Sequence, residues 1–241
     1  MKACILNSGI GKRMGELTKS HPKCMVEIGD HETILSRQLS ILSACAIRDV
    51  VITTGPFREV LCDYADRINE ERKLGLSITY IWNDQYADTN YIYSLLLAKD
   101  ALQDDLILMH GDLVFEKGVL QELIMANCSV MTTSSTLALP EKDFKAVVEE
   151  GCIHKIGIEF FDHAYAAQPL YKILKQDWII WLRKIEEYCE EGIRSCYAEN
   201  AFNEVSDHCR IVPYDVRDRL CNEIDNAEDL KVIRERLLLL K

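Results

Sequence analysis

The sequence predicts an α/β fold: a mostly parallel central sheet with helices on both faces and a small β-rich lobe. Three observations predict it. Short apolar, β-branched runs alternate with helix-patterned segments through residues 1–130. Beyond residue 130 the alternation gives way to β-like runs. No stretch rich in Pro, Gly or Ser divides the chain, and no segment repeats, so one compact domain is expected over residues 1–241.

The elements follow in order. KACILN is a buried-strand run that stops at Ser8-Gly9. ILSRQLSILSACA places Ile34, Leu35, Leu39, Ile41 and Leu42 at helical spacing. DVVITTG is a second strand ending at Gly55, and REVLCDYADRINEERKLG is a helix closed by Gly75. LSITYIWN is a third strand, YSLLLAKDAL a helix, and DLILMHGD a fourth strand with Asp112 at its end. This βαβα order is Rossmann-like. In the second half SVMTTSSTLAL reads as a long β-like segment, and KAVVEEGCIHKIGIEF as a hairpin turning at Glu150-Gly151. QDWIIWLRKIEEYCEEG is an amphipathic helix ending at Gly192, in which Trp178, Trp181 and Tyr188 pack a core. CRIVPYDV is the last expected strand, and NAEDLKVIRERLLLL a closing helix capped by Asn226. Within that one domain residues 1–130 form the alternating half, 131–222 a β-rich middle portion, and 223–241 an acidic segment with that closing helix.

Composition narrows the partners. The chain has 241 residues, 48% hydrophobic, and a net charge of −11. Such a surface repels nucleic acid and anionic membrane, so neither is expected as a partner. Ten cysteines include no CxxC pair, and Met1-Lys2 runs straight into a strand-like segment. Free thiols and a cytoplasmic setting are therefore expected.

The first strand leads into LNSGIGKRMGELTKSHPKCM. Gly9 and Gly11 let backbone N–H groups approach phosphate oxygens, while Arg13 and Lys23 add positive charge. Two common phosphate loops do not fit. A Walker A loop needs Ser or Thr after Gly11-Lys12, where Arg13 stands; the dinucleotide fingerprint needs glycine in place of Met14. No ribose-binding acid ends the second strand either, which excludes a dinucleotide oxidoreductase. Asp112 at a strand end suits a ligand site or a turn; Glu223 and Asp225 in CNEIDNAEDL suit a metal or an acidic helix start.

The whole loop string resembles the signature of the sugar-phosphate nucleotidyltransferase superfamily, LAAGxGxRLxPLTxxxPKxL, through Leu6, Gly9, Gly11, Arg13, Leu17, Thr18, Pro22 and Lys23. Asn7-Ser8 replaces Ala-Ala, and Gly15-Glu16 replaces x-Pro. NDQYADTNYIYSL is similar to the base-reading segment of the phosphocholine and 2-aminoethylphosphonate cytidylyltransferases in that superfamily.

The resemblance implies a cytidylyltransferase that uses CTP and a small phosphorylated or phosphonylated acceptor. It implies Arg13 and Lys23 as catalytic cations, Arg13 on the leaving pyrophosphate and Lys23 on the α-phosphate or the acceptor phosphate. Nucleotide would lie on Leu6, Asn7, Ser8, Gly9, Gly11, Arg13, Lys23, Asn83, Thr89, Asn90 and Ser94. Asp112 and Asp225, with Glu223, would hold Mg²⁺, which favours oxygen ligands. Acceptor-binding residues are expected in the second half: Lys142, Gln168, Tyr171, Lys172, Glu199 and Asn200, with Lys145 and Glu204 nearby. A polar loop with Asp88 or Thr89 capping the next helix is the competing reading of the base segment. A sugar-1-phosphate nucleotidyltransferase and a non-catalytic nucleotide-binding module are the alternative functions.

Overall fold

The computed structural model describes residues 1–240, apart from the side chains of Lys12 and Arg13. The elements are β1 (Lys2–Asn7), β2 (Glu27–Gly29), β3 (Glu32–Thr33), α1 (Ile34–Ala44), β4 (Asp49–Thr54), α2 (Arg58–Glu71), β5 (Ser77–Trp82) and α3 (Tyr91–Leu97). Next come β6 (Leu106–His110), β7 (Leu113–Phe115), α4 (Lys117–Met125), β8 (Ser129–Ser134), β9 (Lys145–Glu149), β10 (Cys152–Gly157) and β11 (Ala164–Ile173). The chain closes with α5 (Lys175–Glu190), α6 (Ala198–Phe202), β12 (Ile211–Asp215), β13 (Cys221–Glu223) and α7 (Ala227–Leu239).

One nine-stranded sheet, ordered β5-β4-β1-β6-β11-β8-β12-β10-β9, runs through both halves of the chain. Its first four strands are parallel, as the βαβα order requires. The expectation of a mostly parallel sheet fails beyond them. β11 enters antiparallel beside β6, and among the remaining pairings only β8–β12 is parallel. β9 also pairs with β11, so β11, β8, β12, β10 and β9 close into a ring. The small β-rich lobe is that ring, continuous with the main sheet through β11.

β11 is the strand that the sequence hides. Pro169 interrupts it and lies where the register against β8 shifts, between Ala167 and Tyr171. Proline is tolerated there because a bulge leaves its missing N–H without cost. The expected hairpin at Glu150-Gly151 is present, both residues turning through positive φ (49° and 76°). SVMTTSSTLAL is a strand only over Ser129–Ser134.

Side chains alternate across the sheet. Ala3 and Ile5 face a core shared with Leu35 and Leu39 of α1, Leu61 of α2 and Leu120 of α4. Cys4 and Leu6 face Ile92 and Leu95 of α3, Trp178 and Trp181 of α5, and Phe202 of α6. Helices thus cover both faces of the sheet. A third cluster joins Leu230, Ile233 and Leu237 of α7 to Met14, Ile28 and Ile224, and supports the glycine loop and the acidic strand end together. α7 is capped as the sequence implies: Asn226 Oδ1 accepts from the backbone of Glu228 and Asp229. All ten cysteines are free thiols, and among the described residues no helix is long and apolar enough to cross a membrane.

Candidate active site

The carboxyl ends of β1 and β6 open onto a cavity of about 380 Å³, where a parallel sheet places its ligands. The loop after β1 forms one wall through Asn7, Ser8, Gly9 and Gly11. Thr18 closes that loop by donating from its hydroxyl to Gly11 O at 2.9 Å. Gly15 turns it at φ 55° and ψ −122°, a conformation that favours glycine, at a position that the superfamily signature leaves open. Gly111 is fixed by space instead. Its N–H donates to Leu6 O at 3.0 Å, and a β-carbon there would collide with the Asn7 side chain.

The segment after β5 is tied to this loop by a buried relay. Asn83 is 1% exposed. Its Nδ2 donates to Thr89 Oγ1 and Ser94 Oγ, both at 3.0 Å, and its Oδ1 accepts from the Gln85 N–H. Ser94 Oγ in turn donates to Ser8 Oγ at 2.9 Å. Asn83, Thr89 and Asn90 line the cavity, whereas Ser94 stands behind its wall. The α3 cap is Asn90, not Asp88 or Thr89: Asn90 Oδ1 accepts from Tyr91 N at 2.7 Å.

Lys23 follows Pro22 in a short 3-10 turn and points across the cavity floor. Its Nζ donates to Asp112 Oδ2 and to Asp225 Oδ1, each at 2.6 Å. Burial alone would lower the Lys23 pKa, but the charges of Asp112 and then Asp225, with both hydrogen bonds, hold it above the ordinary value. Burial would raise the Asp112 carboxyl, and the Lys23 and His110 charges pull it below. Burial and the neighbouring Asp112 charge push Glu223 up, against its bond with His110. Burial works to lower His110, yet Glu223, whose Oε1 lies 2.9 Å from His110 Nδ1, lifts it to about 9.

Asp112, Glu223 and His110 bring ligand atoms within 4.8 Å of one another. Asp112 Oδ1 is buried and has no hydrogen-bond partner among the described residues. An orphaned carboxylate oxygen beside two more acidic groups fits a divalent cation with a preference for oxygen. Asp112, Glu223 and Asp225 could hold one, although Lys23 now engages Asp225.

The expected acceptor residues divide. Lys142 lines the main cavity. Gln168 lines a second cavity of about 180 Å³, with Asp143, Glu223, Asp225 and Asp229. The other four lie elsewhere. Tyr171 is fully buried and donates to Glu199 Oε1 at 2.8 Å. Lys172 is buried on the opposite course of β11, where its ammonium binds the Ile124 and Ala126 carbonyls and so caps α4. Glu199 is 1% exposed and accepts from the Tyr91 and Tyr171 hydroxyls behind the cavity wall. Asn200 caps α6, its Oδ1 accepting from Tyr197 N at 3.0 Å. Of the two further residues named, Lys145 is buried against Pro140 O, and Glu204 pairs with Tyr188 and Lys184. The Arg13 expectation lies outside the described side chains.

An aromatic wall was not foreseen. Tyr91, His110, Phe144 and Tyr197 all line the cavity, with neighbouring ring centroids 4.9–6.3 Å apart. Only His110 carried a signal, lying two residues before Asp112 at the end of a buried strand.

A glycine loop facing a lysine and three carboxylates defines the class: a protein that handles the phosphates of a nucleotide. The model of the MobA-like NTP transferase domain matches residues 3–202, and the chain belongs to that nucleotidyltransferase family. It is similar to the choline-phosphate cytidylyltransferase of Streptococcus pneumoniae, 26% identical over 98% of each chain. It is also similar to the CTP:phosphoglutamine cytidylyltransferase of Campylobacter jejuni, 28% identical over 62% of this chain and 59% of that one. The CMP-5'-(3-aminopropyl)phosphonate synthase of Streptomyces rubellomurinus is 32% identical over 52% of this chain, a match to 19% of that protein. The chain thus spans less than two thirds of the length of these last two relatives. The solved inositol-1-phosphate CTP transferase from T. maritima shares the fold, with a TM-score of 0.78 at 20% identity over 98% of this chain and 95% of that one. The CTP:phosphocholine cytidylyltransferase structure from S. pneumoniae gives 0.75 at 20% identity over 98% of each.

Proposed function

We propose that this chain is a cytidylyltransferase that transfers CMP from CTP to a small phosphonate or phosphate acceptor bearing an ammonium group. 2-Aminoethylphosphonate, a related phosphonate and phosphocholine are the candidates. The observation that carries the reading is Lys23 held at 2.6 Å from both Asp112 and Asp225 on the floor of a cavity walled by a glycine loop. A cation between two carboxylates beside exposed loop amides suits a reaction whose charge gathers on phosphate oxygens.

The acceptor oxyanion attacks the α-phosphorus of CTP; a new P–O bond forms as the bond to pyrophosphate breaks. The attacking oxygen is already ionised at neutral pH, so no protein base is needed. The loop N–H groups and Lys23 bind and orient the triphosphate and neutralise its charge. The polar relay through Asn83 and Thr89 faces the base, and the aromatic wall excludes water. Asp112, Asp225 and Glu223 would hold Mg²⁺, which would supply Lewis-acid charge neutralisation there.

The ammonium end of the acceptor is assigned to the second cavity. The described charged residues lining it are all carboxylates, and the Gln168 amide there makes no side-chain hydrogen bond among the described residues. Asp143, Glu223 and Asp225 line both cavities, which supports the reading that one small acceptor spans them.

The test is pyrophosphate release with Mg²⁺ across CTP, UTP, ATP and GTP, each paired with phosphocholine, 2-aminoethylphosphonate or glucose-1-phosphate. Turnover with CTP and an ammonium-bearing acceptor supports the proposal. Turnover only with glucose-1-phosphate would replace it with a sugar-1-phosphate nucleotidyltransferase. Tight nucleotide binding without turnover would favour a non-catalytic module.

A further inference from the structure

Asp112 reaches the cavity from the turn His110–Gly111–Asp112–Leu113, between β6 and β7. A tight turn does not hold its own carboxylate still, and the grip on this one comes from α1. Gln38 is 1% exposed and lies beneath the turn. Its Nε2 donates to His110 O and to Leu113 O, both at 2.9 Å, so one amide spans both shoulders of the turn. The adjacent Arg37 donates from Nε to Phe115 O at 3.2 Å and extends the hold along β7.

β7 is the partner of β13, with Leu113 opposite Glu223, and Ile224 N donates to Asp112 O at 3.1 Å. The position of the turn therefore sets the separation of Asp112 from both Glu223 and Asp225. α1 is itself fixed at its start by a capping box, Thr33 Oγ1 accepting from Ser36 N and Ser36 Oγ from Thr33 N. Gln38 Oε1 is buried with no partner among the described residues, a cost that a core Leu or Met at this helical position would not carry. Polar groups are kept in such places when their geometry is used.

We infer that Gln38 is a positioning residue: it touches no ligand, but it fixes the His110–Leu113 turn so that Asp112 meets Glu223 and Asp225 at the separation a divalent cation needs. The metal half of this inference rests on the proposed function. Gln38 plays the part that outer partners play for metal ligands elsewhere, holding the group that holds the ion.

The test uses the full chain with Gln38→Met, which keeps volume and loses the donor, and with Gln38→Glu, which sets a carboxylate against two carbonyl oxygens. Leu42→Val, in the same helix and buried in the core, is the packing control. Two quantities are read. One is amide hydrogen exchange at residues 111–113 relative to the amides of β4. The other is Mn²⁺ affinity by electron paramagnetic resonance in the presence of CMPCPP, a non-reacting CTP analogue. Both Gln38 variants are expected to quicken exchange in the turn and to weaken Mn²⁺ binding about tenfold or more. Leu42→Val is expected to leave both near wild type. Unchanged exchange in Gln38→Met overturns the inference. So does faster exchange with unchanged Mn²⁺ affinity, which would make Gln38 an ordinary core group. If the wild-type protein binds no Mn²⁺ with CMPCPP, the proposed function fails at the metal, and the exchange comparison still decides whether Gln38 holds the turn.

Discussion

Replacing Lys23 with Met is the most informative single perturbation. The Lys23 ammonium is bonded to two carboxylates at 2.6 Å, and these side chains are only 14–20% exposed. Removing one partner of a buried ion pair costs about 3–5 kcal/mol, because the remaining charge is left uncompensated. Here two carboxylates are stranded, but the site opens onto a cavity that admits water, so the lower end of about 3 kcal/mol is expected. For a domain of this size that corresponds to roughly 6–12 °C in Tm. The variant also vacates the position between Asp112 and Asp225 that a divalent cation would share. Excess Mg²⁺ should then restore most of the loss, since saturation at about 100 Kd returns about 2.7 kcal/mol. The assay is thermal unfolding of both proteins in EDTA and in excess Mg²⁺. The expected pattern is a large fall in EDTA for Lys23→Met, largely repaired by Mg²⁺, with a smaller Mg²⁺ effect on the wild type. Equal Tm values in EDTA, or equal Mg²⁺ shifts in the two proteins, would refute the reasoning.

Other expectations follow from the same geometry. Lys172→Met should destabilise the fold by about 1.5–3 kcal/mol through loss of a charged donor to the α4 carbonyls. It should leave the KM for acceptor unchanged, and an altered KM would return Lys172 to the site. Asp104 receives a hydrogen bond of 2.9 Å from the N-terminal ammonium, the main cause of its lowered pKa. Its folded value lies below the ordinary 3.8, so its contribution is present above that pH and fades as pH falls through the folded value. Asp104→Asn should therefore cost under about 1 kcal/mol near neutrality, given the exposure of the pair, and nothing in strong acid. A difference in urea midpoints that grows on acidification would contradict this.

The legibility of the fold follows from where its information lies. The parallel half was readable because β1, β4 and β6 are buried on both faces and read as apolar runs. The ring was not, because its closure depends on β11, and Pro169 disguises that strand. The same disguise let Tyr171 and Lys172 be expected in the acceptor pocket, when one is core and the other caps a helix. The loop residues Asn7, Ser8, Gly9, Gly11 and Lys23 do line the cavity, since their spacing is local. Gln38 and the aromatic wall are long-range: Gln38 sits inside an ordinary amphipathic helix, and only the folded chain shows it 72 residues from the His110 carbonyl it binds.

The central claim is that this cavity joins CMP to an ammonium-bearing phosphonate or phosphate. The most direct measurement is phosphorus NMR of CTP, Mg²⁺ and 2-aminoethylphosphonate or phosphocholine, incubated with wild-type protein and with Asp225→Asn. The account predicts resonances of a CMP-linked product and free pyrophosphate with the wild type, and neither at a comparable rate with the variant. Hydrolysis of CTP without a joined product, or equal product formation by Asp225→Asn, would contradict it.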